Sequence, residues 1–244
     1  MSSPHSTAVN QEPGALANPL TADPIAWRWH VRPASALLSI GLIFMAAAVW
    51  GAWVVHPSPG LTLLGLDLPE YVKFLPAVRS GQVPLLREVF YWPLVVLAGG
   101  VNILALITRG EWPRGLRAGL ALGSVPCALA LLPPAWSPAT FSQPEYRLQV
   151  VTMAALLLLS AVTLLAVWRQ DATLGASPRL RVVSGALLVI GALLAAVPLL
   201  SWQQVQPEVA VVYHHTLRLG WGGWALVIGA LYLALGGILL VGRK

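Results

Sequence analysis

Six apolar stretches set the limits on what this chain can fold into. They cover residues 34–55, 85–108, 116–132, 147–167, 180–200 and 221–241, and none has an ionisable side chain at its middle. A hydrocarbon core about 30 Å thick is crossed by roughly 20 apolar residues of helix. Five stretches meet that length. The third is short and interrupted by Pro126, and a re-entrant third segment would leave five crossings. The composition agrees, with 57% hydrophobic and 10% charged residues, against roughly 45–50% and about 25% in soluble domains. The expected fold is an all-α integral membrane protein, a six-transmembrane-helix bundle forming one domain over residues 27–244. The polar residues 1–26 read as a disordered tail on the cytoplasmic side, without the apolar run of a signal peptide.

The charges give an orientation. With the N-terminus inside, ten of the 15 basic residues and four of the nine acids lie on the inner side, so the whole formal charge of +6 falls there. This is the positive-inside pattern. It predicts cytoplasmic termini and explains the basic pI without nucleic acid. A bacterial plasma membrane is the expected location. All eleven tryptophans fall near span ends, where indoles prefer the headgroup region. The lone Cys127 excludes an intrachain disulfide and a cysteine metal motif.

The longest outside connection runs over residues 56–84. Asp67, Pro69 and Glu70 have the composition of a helix start, and Leu68, Tyr71, Val72, Leu75 and Val78 recur at helical spacing. They predict a short amphipathic helix over 68–80, closed by Gly81, with Lys73 and Arg79 facing water. Pro84 starts the next segment, and Pro93 is expected to kink the second span. Residues 133–144 and 201–220 are the remaining outside loops.

Three of the nine carboxylates directly follow a proline on this outside face: Glu70, Glu145 and Glu208. With Tyr71 and Tyr146 they are the candidate catalytic set, able to bind a cation or act as general base on a lipid headgroup. Arg79, Arg147 and His214 would complete such a site, and Glu88 beside Arg87 is a fourth outside carboxylate. The plainer reading is that Pro-Glu opens helices, because proline needs no N–H partner and Glu favours the positive end of the dipole. Two of the three copies also recur in a faint hairpin repeat, 117 to 145 and 181 to 208, with Arg and Pro at each start.

His56, His214 and His215 are weak cofactor candidates, able to ligate haem iron or chlorophyll magnesium only if two met at one depth. No cofactor and no metal is predicted. Asn102 is the most polar mid-span residue. With Gly99 and Gly100, and with Gly115, Gly119 and Gly123 at spacings of four, it is assigned to helix packing. The absence of mid-span charge argues against a proton-coupled carrier. The leading expectation is a non-catalytic structural or accessory subunit of a larger membrane complex, in contact with lipids and with partner subunits or further copies. An outer-leaflet lipid- or polyprenyl-processing enzyme is the first alternative, and a channel or uncoupled transporter with Asn102 at its constriction the second.

Overall fold

The computed structural model describes residues 32–242 apart from 57, 59–60, 134–136, 142, 170–177 and 215. The expected tail, Trp27, Trp29, Trp136 and His215 lie outside the described residues. In chain order the elements are α1 (Pro33–Trp50), β1 (Ala52–Val54), β2 (Leu63–Leu64), α2 (Leu68–Val72), α3 (Pro76–Arg79), α4 (Trp92–Ile107), α5 (Arg114–Leu129), α6 (Pro138–Phe141), α7 (Arg147–Arg169), α8 (Pro178–Tyr213) and α9 (Trp221–Val241). One 3-10 turn, Arg87–Tyr91, feeds α4, and another, Pro144–Tyr146, feeds α7.

Five helices are long and apolar enough to cross a membrane: α1, α4 with its leading turn, α7, α8 and α9. The third expected span is α5, a helix of 16 residues, about 24 Å long at 1.5 Å per residue. It packs between α4 and α7. Successive long helices run antiparallel, so the bundle has two ends. One is capped by β1, β2, α2 and α3; the opposite one carries the α4–α5 turn.

α9 packs against α1 and α8, while α4 packs against α5, α1, α7 and α8. Glycines let the first group close. A Cβ on Gly41 would lie 2.9 Å from Leu233, one on Gly229 3.0 Å from the Met45 nitrogen, and one on Gly237 2.7 Å from the Gly185 carbonyl. Such close backbone approach maximises dispersion contact where apolar side chains gain little by leaving lipid.

α1 ends earlier than its hydropathy suggests. Gly51 is extended, with ψ of 156°, and the chain continues as a strand rather than as helix to residue 55. The carbonyls freed at the helix end find new donors. The Trp53 indole N–H donates to Ala48 O at 3.0 Å, and Leu66 N–H to Val49 O at 2.8 Å. β1 pairs antiparallel with β2, Ala52 opposite Leu64.

The expected helix over 68–80 is broken in two. Pro76 disfavours helical geometry in the residue before it, and Leu75 is extended with ψ of 130°. Leu68, Val72 and Leu75 are buried in the core, so this segment packs on the bundle. Gly81 does close it, at φ of +76°. Asp67 makes no side-chain cap bond to α2. Pro93 sits in the first turn of α4 and starts the helix instead of kinking it.

α8 continues through the expected loop at 201–220 as far as Tyr213. At 36 residues it is about 54 Å long, well over a bilayer core. Trp202, Val205 and Val209 keep a helical spacing and are buried against the cap. The Pro-Glu at 207–208 therefore lies inside a continuous helix, whereas that at 144–145 forms the 3-10 turn before α7. The two copies are not structurally equivalent, which removes the outer half of the expected hairpin repeat. Trp53 and Trp202 face the protein core instead of its surface. They are 1% and 2% exposed and meet edge to face at 6.1 Å. Trp50, Trp168, Trp221 and Trp224 are exposed at helix ends.

Candidate functional site

Glu70 on α2 and Glu145 in the turn before α7 meet at the capped end, on the guanidinium of Arg87. Arg87 starts the 3-10 turn into α4, which directs its side chain between the other two segments. Its Nη1 lies 3.2 Å from Glu70 Oε1, its Nη2 3.2 Å from Glu145 Oε1, and its Nε 3.4 Å from Glu88. Nη2 also donates to the Glu145 backbone carbonyl at 3.1 Å. All three guanidinium nitrogens are thus engaged, and the Arg87 side chain is only 9% exposed. The Tyr146 ring covers the guanidinium at 5.1 Å, a cation–π contact.

Lys73 adds a second cation. It pairs with Glu70 three residues before it, lies 3.9 Å from Glu145, and donates to the Tyr146 hydroxyl at 3.3 Å. Burial opposes its charge, but the bonds to Glu70 and Tyr146 outweigh that and hold the ammonium above its ordinary value. Lys73 therefore faces the cluster and not water. Tyr91 O–H donates to Glu70 at 3.3 Å and accepts from Gln149 at 3.2 Å; Gln149 also donates to the Leu131 carbonyl at 2.7 Å. Three carboxylates face two cations, a formal surplus of one negative charge.

The rest of the candidate catalytic set is dispersed. Glu208 is half-buried on α8 and makes no ion pair among the described residues. The Tyr71 hydroxyl is buried without a hydrogen-bond partner, and burial next to Tyr213 pushes the phenol above its ordinary value. Its ring lies 6.5 Å from that of Tyr213. Arg79, Arg147 and His214 are exposed. His56 accepts the Ser58 N–H on Nδ1 at 3.0 Å and stands edge-on to Tyr213 at 5.7 Å. His214 takes a positive φ of 55° where α8 ends. No group of three metal-ligating side chains occurs among the described residues.

A groove of about 280 Å³ opens beside the cluster between α4, α7 and α8. Glu88, Tyr91, Gln149 and Thr152 contribute its polar edge, and Val95 and Leu194 its apolar wall. Lys73, Tyr91 and Gln149 were not picked out from the sequence. The three-residue step from Glu70 to Lys73 on a predicted helix was a signal for the first. The partners of the other two come from distant segments.

Asn102 forms a second polar node, fully buried between α4, α5 and α7. Its amide donates to Ala98 O and Ser124 Oγ, both at 2.9 Å, and to Ser160 Oγ at 3.3 Å. The two serines are 2.6 Å apart. Gly100 packs on Leu42, where an added Cβ would lie 2.6 Å away. Gly99, Gly115, Gly119 and Gly123 differ: a Cβ on any of them meets nothing within 4 Å. These four do not mediate helix contact within the chain.

At the opposite end, Glu111 receives Arg32 at 3.1 Å and the Ser35 hydroxyl at 2.8 Å. It thereby places a carboxylate at the N-terminus of α1, where the helix dipole favours it. No family model, curated protein or solved structure matches this chain.

Proposed function

We propose that this protein is a non-catalytic subunit of a larger assembly in a bacterial inner membrane, with both termini in the cytoplasm, docking through the outward face of α5. The observation that carries this reading is a contrast among its glycines. Gly41, Gly229, Gly185 and Gly237 are closed against neighbouring helices, whereas Gly115, Gly119 and Gly123 repeat every four residues on an exposed face with open space above each. A stripe of this spacing lets a second helix approach closely, and the partner is an apolar transmembrane helix of another subunit or copy. The engaged state of Arg87 supports the same reading, because Glu70 is bound on both oxygens by Arg87, Tyr91 and Lys73. A photo-crosslinker placed at Gly119 in native membranes should form an adduct with a polypeptide; adducts with lipid alone would refute the docking face.

One observation favours a lipid- or polyprenyl-processing enzyme as the second reading. Glu145 engages its neighbours through Oε1, its side chain is 52% exposed, and the groove lined by Glu88 and Gln149 lies beside the same cluster. That reading requires Glu145→Gln to abolish turnover of a lipid while leaving the assembly intact.

A further inference from the structure

We propose that the groove between α4, α7 and α8 binds one lipid with a primary ammonium in its head group, the apolar chains lying along the helices. This groove of about 280 Å³ is graded along its length. Glu88, Tyr91 and Gln149 line it at the capped end, and Val95, Val96 and Leu194 line it further along the helices. That is the polarity of a lipid in the leaflet at this end, with its head at the cap.

Gln149 is the central observation. It lies in the first turn of α7 and is only 3% exposed. Its Nε2 donates to the Leu131 carbonyl and to the Tyr91 hydroxyl. A backbone carbonyl only accepts, so the chemistry of the contact fixes this orientation of the amide. Its Oε1 is left buried with no donor, which costs free energy until one is supplied. The Tyr91 hydroxyl does not supply it, because its proton goes to Glu70 at 3.3 Å.

Glu88 adds charge to the same end. Its side chain is 17% exposed and meets one cation, Arg87, at 3.4 Å. Glu70 and Glu145 each lie beside both Arg87 and Lys73. Arg147, the next cation along the chain, pairs with none of the three. The carboxylates thus exceed their cations by one, and of the three only Glu88 lines the groove.

A head group suited to this end carries positive charge and donates N–H bonds. A primary ammonium does both, with three donors on one compact charge. Choline brings the charge without an N–H, and phosphatidylglycerol brings net negative charge towards Glu88. The occupant is therefore an aminophospholipid, phosphatidylethanolamine in its simplest form. No residue of α5 lines the groove and binding needs no turnover, so this site stands apart from the docking face and from the enzymatic reading.

The test offers the full chain, in mild detergent, equimolar phosphatidylethanolamine, phosphatidylcholine and phosphatidylglycerol with identical acyl chains. Native mass spectrometry reads the retained lipid, and preferential retention of one phosphatidylethanolamine is expected. Glu88→Gln keeps an acceptor for Arg87 and should lower that preference about fivefold, as for one partly exposed ion pair. Thr152→Phe narrows the groove without altering charge and should reduce retention of phosphatidylethanolamine. The Thr152 hydroxyl bonds only the Leu148 carbonyl of its own helix, at 2.8 Å, so the change breaks no hydrogen bond between helices. Equal retention of the three lipids, a preference for either of the other two, or a preference unchanged in Glu88→Gln overturns the ammonium site. Retention unchanged in Thr152→Phe overturns the groove.

Discussion

Glu145 reaches Glu70 through a single guanidinium: Arg87 Nη2 and Nη1 lie 3.2 Å from one carboxylate oxygen of each. The contact ties the cap segment α2 and the start of α7 to the start of α4, so the three segments share one counter-ion at low exposure. Its physical role follows from that burial. A cation this enclosed is stable only while its carboxylates remain, and the carboxylates are in turn held in place by it.

Removing the guanidinium should therefore cost far more than removing one exposed carboxylate. Arg87→Met removes the cation shared by Glu70, Glu88 and Glu145, leaves Glu70 with Lys73 and Tyr91, and should destabilise the fold by about 3–5 kcal/mol. Glu145→Gln should cost under about 1 kcal/mol, because that side chain is 52% exposed and solvent screens it. Chemical unfolding of the two variants in the same detergent checks the order.

Lys73 gives a pH signature. Its value in the fold is raised, so its contribution to stability is fully present below the unfolded lysine value, about 10.4. The contribution is lost as pH rises through the higher folded value. The difference in Tm between the wild type and Lys73→Met should be constant from about pH 7 to 9 and shrink above about pH 10.4.

The Asn102 node predicts a graded pair. Asn102→Ala removes the bonds to Ser124 and Ser160 and should cost about 1–2 kcal/mol, the range for hydrogen bonds between membrane helices. Ser124→Ala should cost less, because Asn102 keeps Ala98 and Ser160. Thermal unfolding followed by circular dichroism reads both.

Glycine substitutions separate closed from open positions. Gly237→Ala sets a Cβ 2.7 Å from the Gly185 carbonyl and should destabilise by about 1–3 kcal/mol, as overpacking does. Gly119→Ala meets open space and should leave stability unchanged or raise it by about 0.5–1 kcal/mol through lower chain entropy. The midpoints of unfolding of the isolated protein distinguish them.

Hydropathy made the helical membrane fold legible, and α7 and α9 begin at the residues that charge and tryptophan placement marked, Arg147 and Trp221. The departures have local causes. Residues 201–213 lack a continuous apolar run, yet Trp202, Val205 and Val209 keep the helical spacing that buries them on the cap. A count of apolar residues does not register that periodicity. The break at Pro76 and the helix start at Pro93 were encoded by proline geometry. The site was legible only in part. The tripeptide pattern picked out Glu70 and Glu145, but Arg87 joins them by long-range folding, and no local spacing announces that contact. Glu208 shares their sequence form and not their place.

The mass of the particle extracted in mild detergent, compared between wild type and Gly119→Leu, decides whether the glycine face of α5 docks a second helix. The leucine fits the isolated chain without a clash at its Cβ and blocks close approach by another helix. Docking through α5 requires a wild-type protein mass above the 26.0 kDa of one chain and a Gly119→Leu particle reduced to that single chain. A wild-type particle of one chain alone, or an assembly unchanged by Gly119→Leu, would contradict it.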